Sequence, residues 1–293
     1  MKAFQNVHPT VLLLYFLSVL LVGMFVTNPV LSLSSLLGGI LFSATLCRRG
    51  EVAGDIGFYL AMFFLVAITN PLFSHNGVTP LFFLNGNPVT LEAFIYGAEI
   101  AVAIVGTLLW CRSFSRIMTS DKLLYLFGRV LPKLSLVLSM ALRFIPMFFC
   151  RMKQVRAVQK TTGMYSGRGI VDKFRYSGRV FLSMIGWSLE SSIETAASMR
   201  ARGYGTGRRT NFSLFRFTPR DWLLLAVTLS LISLVIAGIS LGVTDFYFYP
   251  RISTVSLSAP ALAVYIAFGA LSLLPFFVEV REVLLWKYYR SKI

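Results

Sequence analysis

The chain has 293 residues, 56% of them hydrophobic and only 14% charged, against roughly 25% charged in an average soluble domain. Its mean hydropathy is +0.72. A soluble globule of this size cannot bury so much apolar side chain, whereas a polytopic membrane protein has lipid as its solvent, so a secreted domain, a disordered protein and an ordinary cytosolic enzyme are excluded. The net charge of +16, from 28 Lys and Arg against 12 Asp and Glu, would suggest nucleic acid on a soluble protein. On a membrane protein its distribution along the chain is read first.

A spanning helix needs about 20 apolar residues. In chain order the candidates are Pro9–Val26, Pro29–Cys47, Ile56–Ile68, Leu91–Trp110, Trp222–Leu241 and Val255–Phe277. No A-x-A cleavage site follows the first, which is read as a retained helix. It forms a tight hairpin with the second across Thr27–Asn28–Pro29. Asn70–Pro71 is expected to interrupt the third span, and Leu81–Leu84 to be a re-entrant or interfacial piece.

Basic residues then set the orientation. Arg48 and Arg49 follow the second span, the segment 74–90 has no Lys or Arg, and 20 of the 28 basic residues fall in 112–220. Arg281, Lys287, Arg290 and Lys292 end the chain. With six spans and both termini cytoplasmic, every basic cluster lies inside. Cys47, Cys111 and Cys150 then sit near the reducing side, with spacing that makes neither a disulfide framework nor a zinc site.

This divides the chain into N-terminal membrane helices (1–112), a cytoplasmic or interfacial region (113–220) and C-terminal membrane helices with a tail (221–293). In the middle region, Asp121–Met152 is apolar at helical spacing and carries Arg129, Lys133 and Arg143. Pro132 and Pro146 are expected to break it into pieces, one of which crosses the membrane or lies in its interface. Ile145, Phe148, Phe149, Met152 and Val155 make a stripe at spacings of three and four. The opposite face holds Arg151, Lys153, Arg156 and Lys160, and the run ends at Gly163. A second helix is expected from about Val180 to Arg202, with the apolar stripe Ile185, Leu189, Ile193 and Ala196. Beside that stripe runs another seam, Ser188, Ser191, Thr195, Ser198 and Arg202, whose small side chains suit close helix approach. Gly203 follows at the capping position.

Catalytic groups are sparse. His8 and His75 lack ligand-spaced partners, so no metal site is expected. No phosphate loop is present, and Gly203–Tyr204–Gly205–Thr206–Gly207 follows a helix, with Arg208 where a third fingerprint glycine would stand. Glu92 and Glu99 share a face of the fourth span. Glu99 is either a proton or substrate site or a buried pairing with a polar neighbour. The sharpest local signal is Met199–Arg200–Ala201–Arg202–Gly203–Tyr204–Gly205. An arginine at a glycine-capped helix end suits the helix dipole, and a charged tip there can form a bidentate pair with a partner carboxylate.

Ala201–Arg202–Gly203 in this setting resembles the second Ala-Arg-Gly signature of the transmembrane T component of energy-coupling factor (ECF) transporters, a family that includes the membrane subunit of cobalt and nickel uptake systems. Asn70–Pro71, Thr90–Leu91–Glu92–Ala93 and the two basic helices extend the resemblance. It implies an all-α polytopic membrane protein of about six transmembrane helices with two long amphipathic cytoplasmic coupling helices, in the cell membrane. It implies no enzyme activity and no cofactor bound directly, with ATP and Mg held by two ATP-binding-cassette subunits. The remaining implied partners are a small substrate-binding membrane protein, the S component for a vitamin or metal, and the bilayer, but no nucleic acid.

The implied ATPase-docking residues are Ala201, Arg202 and Gly203, and Thr161, Thr162 and Gly163, with Arg200, Arg156 and Lys160 as auxiliary cations. The implied S-component contacts are Ile145, Phe148, Met152, Val155, Ile185, Leu189 and Ile193. The first motif departs from the pattern: in Val158–Gln159–Lys160–Thr161–Thr162–Gly163 a threonine replaces the arginine, leaving Lys160 or Arg156 as substitutes. Two alternatives stand beside this reading. One is an autonomous secondary transporter with a midplane site near Glu99. The other is a lipid-modifying enzyme, which the scattered acidic residues do not equip.

Overall fold

The computed structural model describes residues 4–46, 49–74, 77–84, 87–163, 169–207 and 215–290. Cys47, Arg48, His75, Arg208, Lys292 and the side chains of Arg49 and Arg129 lie outside the described residues, as does most of the loop after Gly207. A 3-10 turn at Phe4–Asn6 precedes α1 (Pro9–Phe25), α2 (Pro29–Leu46) and α3 (Arg49–Phe73). A hairpin of β1 (Pro80–Leu84) and β2 (Asn87–Thr90) leads into α4 (Leu91–Ile117). Then follow α5 (Ser120–Val130), α6 (Pro132–Thr161), α7 (Ile170–Ala201), α8 (Pro219–Ser240) and α9 (Ala259–Arg290).

Among the described residues six helices are long and apolar enough to cross a membrane: α2, the Asp55–Phe73 part of α3, α4, α6, α8 and α9. The chain is a multi-pass, all-α membrane protein. The number of spans agrees with the expectation, but the membership differs. Helix α1 has 17 residues, about 25 Å at 1.5 Å per residue, and stands beside these six as a shorter apolar helix, at the low end of the length that can span. Helix α6 qualifies because Pro146 does not break it. The ring holds a φ that is already helical and removes only one interior hydrogen bond. Pro132 does act as a boundary, at the first turn of α6.

Asn70–Pro71 does not interrupt the third span either. Pro71 offers no N–H to the Ala67 carbonyl, but that carbonyl faces Gly97 of α4, where a Cβ would come within 2.7 Å of it. Asn70 Nδ2 donates to the Ala93 carbonyl at 3.3 Å, so α3 continues to Phe73 against α4. Leu81–Leu84, expected to be a re-entrant or interfacial piece, is a strand of the antiparallel β1–β2 hairpin, with Pro80 opposite Thr90. Glu92 ties this hairpin to α4 by accepting the Thr79 hydroxyl at 2.8 Å. Helix α7 starts ten residues earlier than expected, at Ile170, with Gly169 as N-cap and Asp172 in its first turn, where a carboxylate suits the dipole. The basic tail from Arg281 to Arg290 is the continuation of α9.

The chain forms two compact units, Met1–Leu123 with Phe215–Ile293, and Leu124–Leu214. In the first, α2 packs between α4 and α9, with α3 on α4 and α8 on α9. Leu12, Phe16, Phe42 and Trp110 are fully buried there. Phe4 meets Tyr15, Phe16 and Phe42 edge to face, at centroid distances of 5.5, 6.3 and 5.6 Å. Polar groups in such a core need internal partners. Trp110 Nε1 donates to the Ser35 carbonyl at 3.0 Å, and the Tyr15 hydroxyl donates to the Leu271 carbonyl at 3.0 Å. In the α1–α2 turn, Asn28 accepts from the Val30 amide and donates to the Thr244 carbonyl at 2.8 Å.

Two buried acidic residues, Asp221 and Glu279, anchor the start of the chain. The Phe4 amide donates to Glu279 Oε2 and the His8 amide to Asp221 Oδ1, both at 3.1 Å. Asp221 also closes a capping box with Thr218 at the start of α8. His8 Nδ1 accepts from the Thr10 amide as the N-cap of α1, and its ring stacks on Phe217 at 3.8 Å. Lys122 donates to the Gln5 and Ile117 carbonyls. Among the described residues no three His, Cys, Asp or Glu side chains come together as a metal site.

Candidate docking site

The second unit is built on α6 and α7, which run antiparallel. Tyr176 donates to the Arg156 carbonyl at 3.3 Å near the end of α6. Midway, Phe148 and Trp187 meet edge to face at 5.4 Å, and Arg151 lies 6.0 Å from the Trp187 ring centre, within cation–π range. Farther along, Leu136, Met140 and Phe144 share a cleft of about 320 Å³ with Thr195, Ala196 and Met199.

The antiparallel course puts the two glycine-closed ends at opposite ends of the pair. Helix α7 spans 32 residues, so the ends stand roughly 48 Å apart along its axis. Locally they are near duplicates. Thr162 caps α6 with φ −78° and ψ 6°, and Arg202 caps α7 with φ −81° and ψ 7°. The next residue is left-handed in both, Gly163 at φ +73° and Gly203 at φ +80°, a conformation that favours glycine. At the α7 end the Gly203 amide donates to the Arg200 carbonyl at 2.9 Å and the Tyr204 amide to Met199 at 3.0 Å. This is a Schellman closure, which satisfies the last carbonyls and stops the helix at a defined residue.

The side chains at the two caps differ. Arg202 is exposed, as are Ala201, Gly203 and Arg200, and Arg202 forms no ion pair within the described residues. Thr161 and Thr162 are also exposed, but both hydroxyls turn back to the Val158 carbonyl, at 2.8 and 2.6 Å. Lys160 lies about half a turn and Arg156 nearly two turns before Thr162, and both are exposed. They open onto a groove shared with Lys153, Lys173 and Tyr176.

The expected contact stripe divides between two environments. On α6, Phe148, Met152 and Val155 are half-buried and Ile145 is exposed. On α7 the small-residue seam supplies half-buried positions, Ser188, Ser191 and Thr195, while Val180 and Met184 are buried. The neighbouring stripe of Ile185, Leu189 and Ile193 is 41, 62 and 70% exposed. Thus α7 uses one face for packing and leaves an adjacent apolar face open. The sequence reading missed Lys173 and Tyr176 as companions of the α6 cations, because they stand on a different helix and meet α6 only through the antiparallel turn-back.

No family model matches the chain. Over 177 residues it is 25% identical to the energy-coupling factor transporter transmembrane protein EcfT of Lactobacillus helveticus, a match covering 53% of this chain and 64% of that protein. Over 92 residues it is 32% identical to the protein of the same name from Lacticaseibacillus paracasei, covering 31% and 35%. In each case the match spans less than two thirds of the relative's length. The similarity to this transporter component thus covers about half of the chain in the longer match.

Proposed function

We propose that the chain is the T component of an ECF-type importer, the membrane scaffold that couples ATP hydrolysis in two partner ATPases to substrate release from an S component. The observation that carries this reading is the pair of exposed, glycine-closed ends of α6 and α7, held at opposite ends of one antiparallel unit. Two separate ATPase subunits can each take one end without competing for space. The similarity to two EcfT proteins supports the same reading.

In this mechanism Arg202, aimed by the Schellman turn after it, pairs with a carboxylate on one ATPase, flanked by Ala201 and Gly203. The end at Thr161, Thr162 and Gly163 meets the other ATPase, with Arg156, Lys160 or both supplying the charge that Thr162 lacks. ATP and Mg bind on those subunits, and this chain performs no chemistry. Closure of the ATPases on ATP changes the distance between the two ends and so the angle between α6 and α7. The open stripe Ile185, Leu189 and Ile193, with Ile145, Phe148, Met152 and Val155, carries the motion to the S component. The S component's differential affinity for the two states then decides release of its vitamin or metal. Both termini are cytoplasmic in this arrangement, in the cell membrane. Glu99, the candidate for an autonomous transport site, accepts the Ser32 hydroxyl at 2.5 Å between α4 and α2, a packing role that leaves the scaffold reading preferred.

The test is co-purification of the tagged chain with its ATPase pair, as wild type and as Arg202→Glu. A carboxylate facing a carboxylate in a desolvated contact costs about 2–5 kcal/mol. The variant is expected to insert normally and lose ATPase. Undiminished assembly would remove Arg202 from the docking role.

A further inference from the structure

Two grooves between α6 and α7 run into each other. One, of about 570 Å³, is lined by Lys153, Arg156 and Lys160 of α6 and by Lys173, Tyr176 and Ser177 of α7. Its four cations form no ion pair or side-chain hydrogen bond within the described residues. The other, of about 760 Å³, is walled by apolar side chains, chiefly Phe149, Met152, Val180, Phe181, Met184 and Ile185. Arg156 and Ser177 line both, so the surface passes from strongly cationic to apolar within one helical turn. From Arg156 to Ile145, the far wall of the apolar part, is 11 residues, roughly 16 Å along the helix. That is about half of a 30 Å hydrocarbon core, the depth of one leaflet.

We propose that this continuous groove binds one anionic phospholipid, its phosphate among Lys153, Arg156, Lys160 and Lys173 and an acyl chain along Met152, Phe149 and Phe181. Charge and shape select this occupant together. A free phosphate or nucleotide would leave the apolar part unfilled, and an apolar protein segment would leave four converging cations uncompensated. The inference goes beyond the transporter reading and does not depend on it. Ile145, Phe148, Met152, Ile185 and Leu189 belong both to this groove and to the stripe assigned to the S component, and Arg156 and Lys160 also to the α6 docking end, so the lipid excludes either partner from the side chains it covers.

Native mass spectrometry of the full chain in a neutral detergent tests the proposal, with added phosphatidylglycerol, phosphatidylcholine or inorganic phosphate. The variants are Lys153→Gln/Arg156→Gln/Lys160→Gln/Lys173→Gln, at exposed positions that leave the fold intact, and Phe181→Asp at the apolar end. Wild type is expected to retain one phosphatidylglycerol about tenfold or more over phosphatidylcholine, since each basic residue near a lipid headgroup adds appreciably to affinity. The quadruple variant is expected to lose that preference, and Phe181→Asp to lose retention of both lipids. Equal retention of the two lipids by wild type, or unchanged preference in the quadruple variant, overturns the proposal. Displacement of the lipid by millimolar inorganic phosphate would reduce the site to a phosphate-ion site and overturn it too. If the quadruple variant keeps its lipid and loses only its ATPase, the cations belong to the protein partner.

Discussion

Thr162 donates its hydroxyl to the Val158 carbonyl at 2.6 Å, one turn back along its own helix. Arg202, the residue at the same capping position of α7 with nearly the same φ and ψ, projects its guanidinium outward instead. That carbonyl already accepts the Thr162 amide at 3.0 Å, so the hydroxyl bond is an additional, local one. At the α6 end the threonine hydroxyl is thus engaged by its own helix, and the exposed residue offers a partner no charge. The backbone at both ends is built alike, and the difference between them is confined to one side chain.

Thr162→Arg should therefore convert the α6 end into a copy of the α7 end without disturbing the helix stop, which depends on Gly163. Attachment of one ATPase is expected to strengthen by about 1.5–3 kcal/mol, the worth of a hydrogen bond to a charged group. Dissociation rates of the assembled complex read this directly. An unchanged rate would leave Lys160, Arg156 or no residue at this end as the contact.

The antiparallel arrangement of α6 and α7 makes a topological prediction. If the pair lies on the cytoplasmic side, single cysteines at Lys160 and Thr206 should both be labelled by an impermeant maleimide only after the membrane is opened. The three native cysteines, Cys47, Cys111 and Cys150, are first replaced by serine; Cys111 and Cys150 are exposed. If α6 and α7 instead crossed the bilayer as a hairpin, which the length and apolarity of α6 allow, one of the two sites would be labelled from outside in intact cells. The coupling-helix assignment would then fail.

Gly38 on α2 faces Ser272 on α9 so closely that a Cβ would stand 2.7 Å from the Ser272 carbonyl oxygen. Small residues permit this approach between apolar helices. Gly38→Val should destabilise the first unit by about 1–3 kcal/mol through overpacking, read as a lower melting temperature in detergent. Gly57, with open space around its would-be Cβ, should accept alanine with little change.

Lys122 is buried, and burial holds its amine below the usual lysine value of 10.5. Between that lowered value and 10.5 the unfolded chain binds more protons than the folded one, so this group makes stability rise with pH across that window. The gain is complete above 10.5 and lost as pH falls through the folded value. The difference in thermal midpoint between wild type and Lys122→Met, followed upward from neutral pH, should shift steadily toward wild type. A difference that does not vary with pH would show that only the contacts with Gln5 and Ile117 matter.

The class of the protein was legible in its residues because lipid imposes a one-dimensional constraint. Runs of about 20 apolar residues have few other uses, and glycines at 163 and 203 announce helix ends by their conformational freedom alone. Local geometry at the α7 end followed from local sequence, since a Schellman turn involves six consecutive residues. Pro132 marked a boundary as expected, but Pro71 and Pro146 misled, because a proline's effect depends on what faces it. Pro71 leaves the Ala67 carbonyl without its helical donor, and only the bare backbone of Gly97, 26 residues later, lets α3 continue in contact with α4. The antiparallel pairing of α6 with α7, and hence the distance between the two caps, was likewise beyond periodicity. A helical pattern gives the direction in which a face points but not what it meets. The small-residue seam of α7 and its open Ile185–Leu189–Ile193 stripe looked equally ready to pack. The approach of α6 decided which one was covered, and it also brought Lys173 beside Arg156, because a site made by two helices exists only once they are side by side.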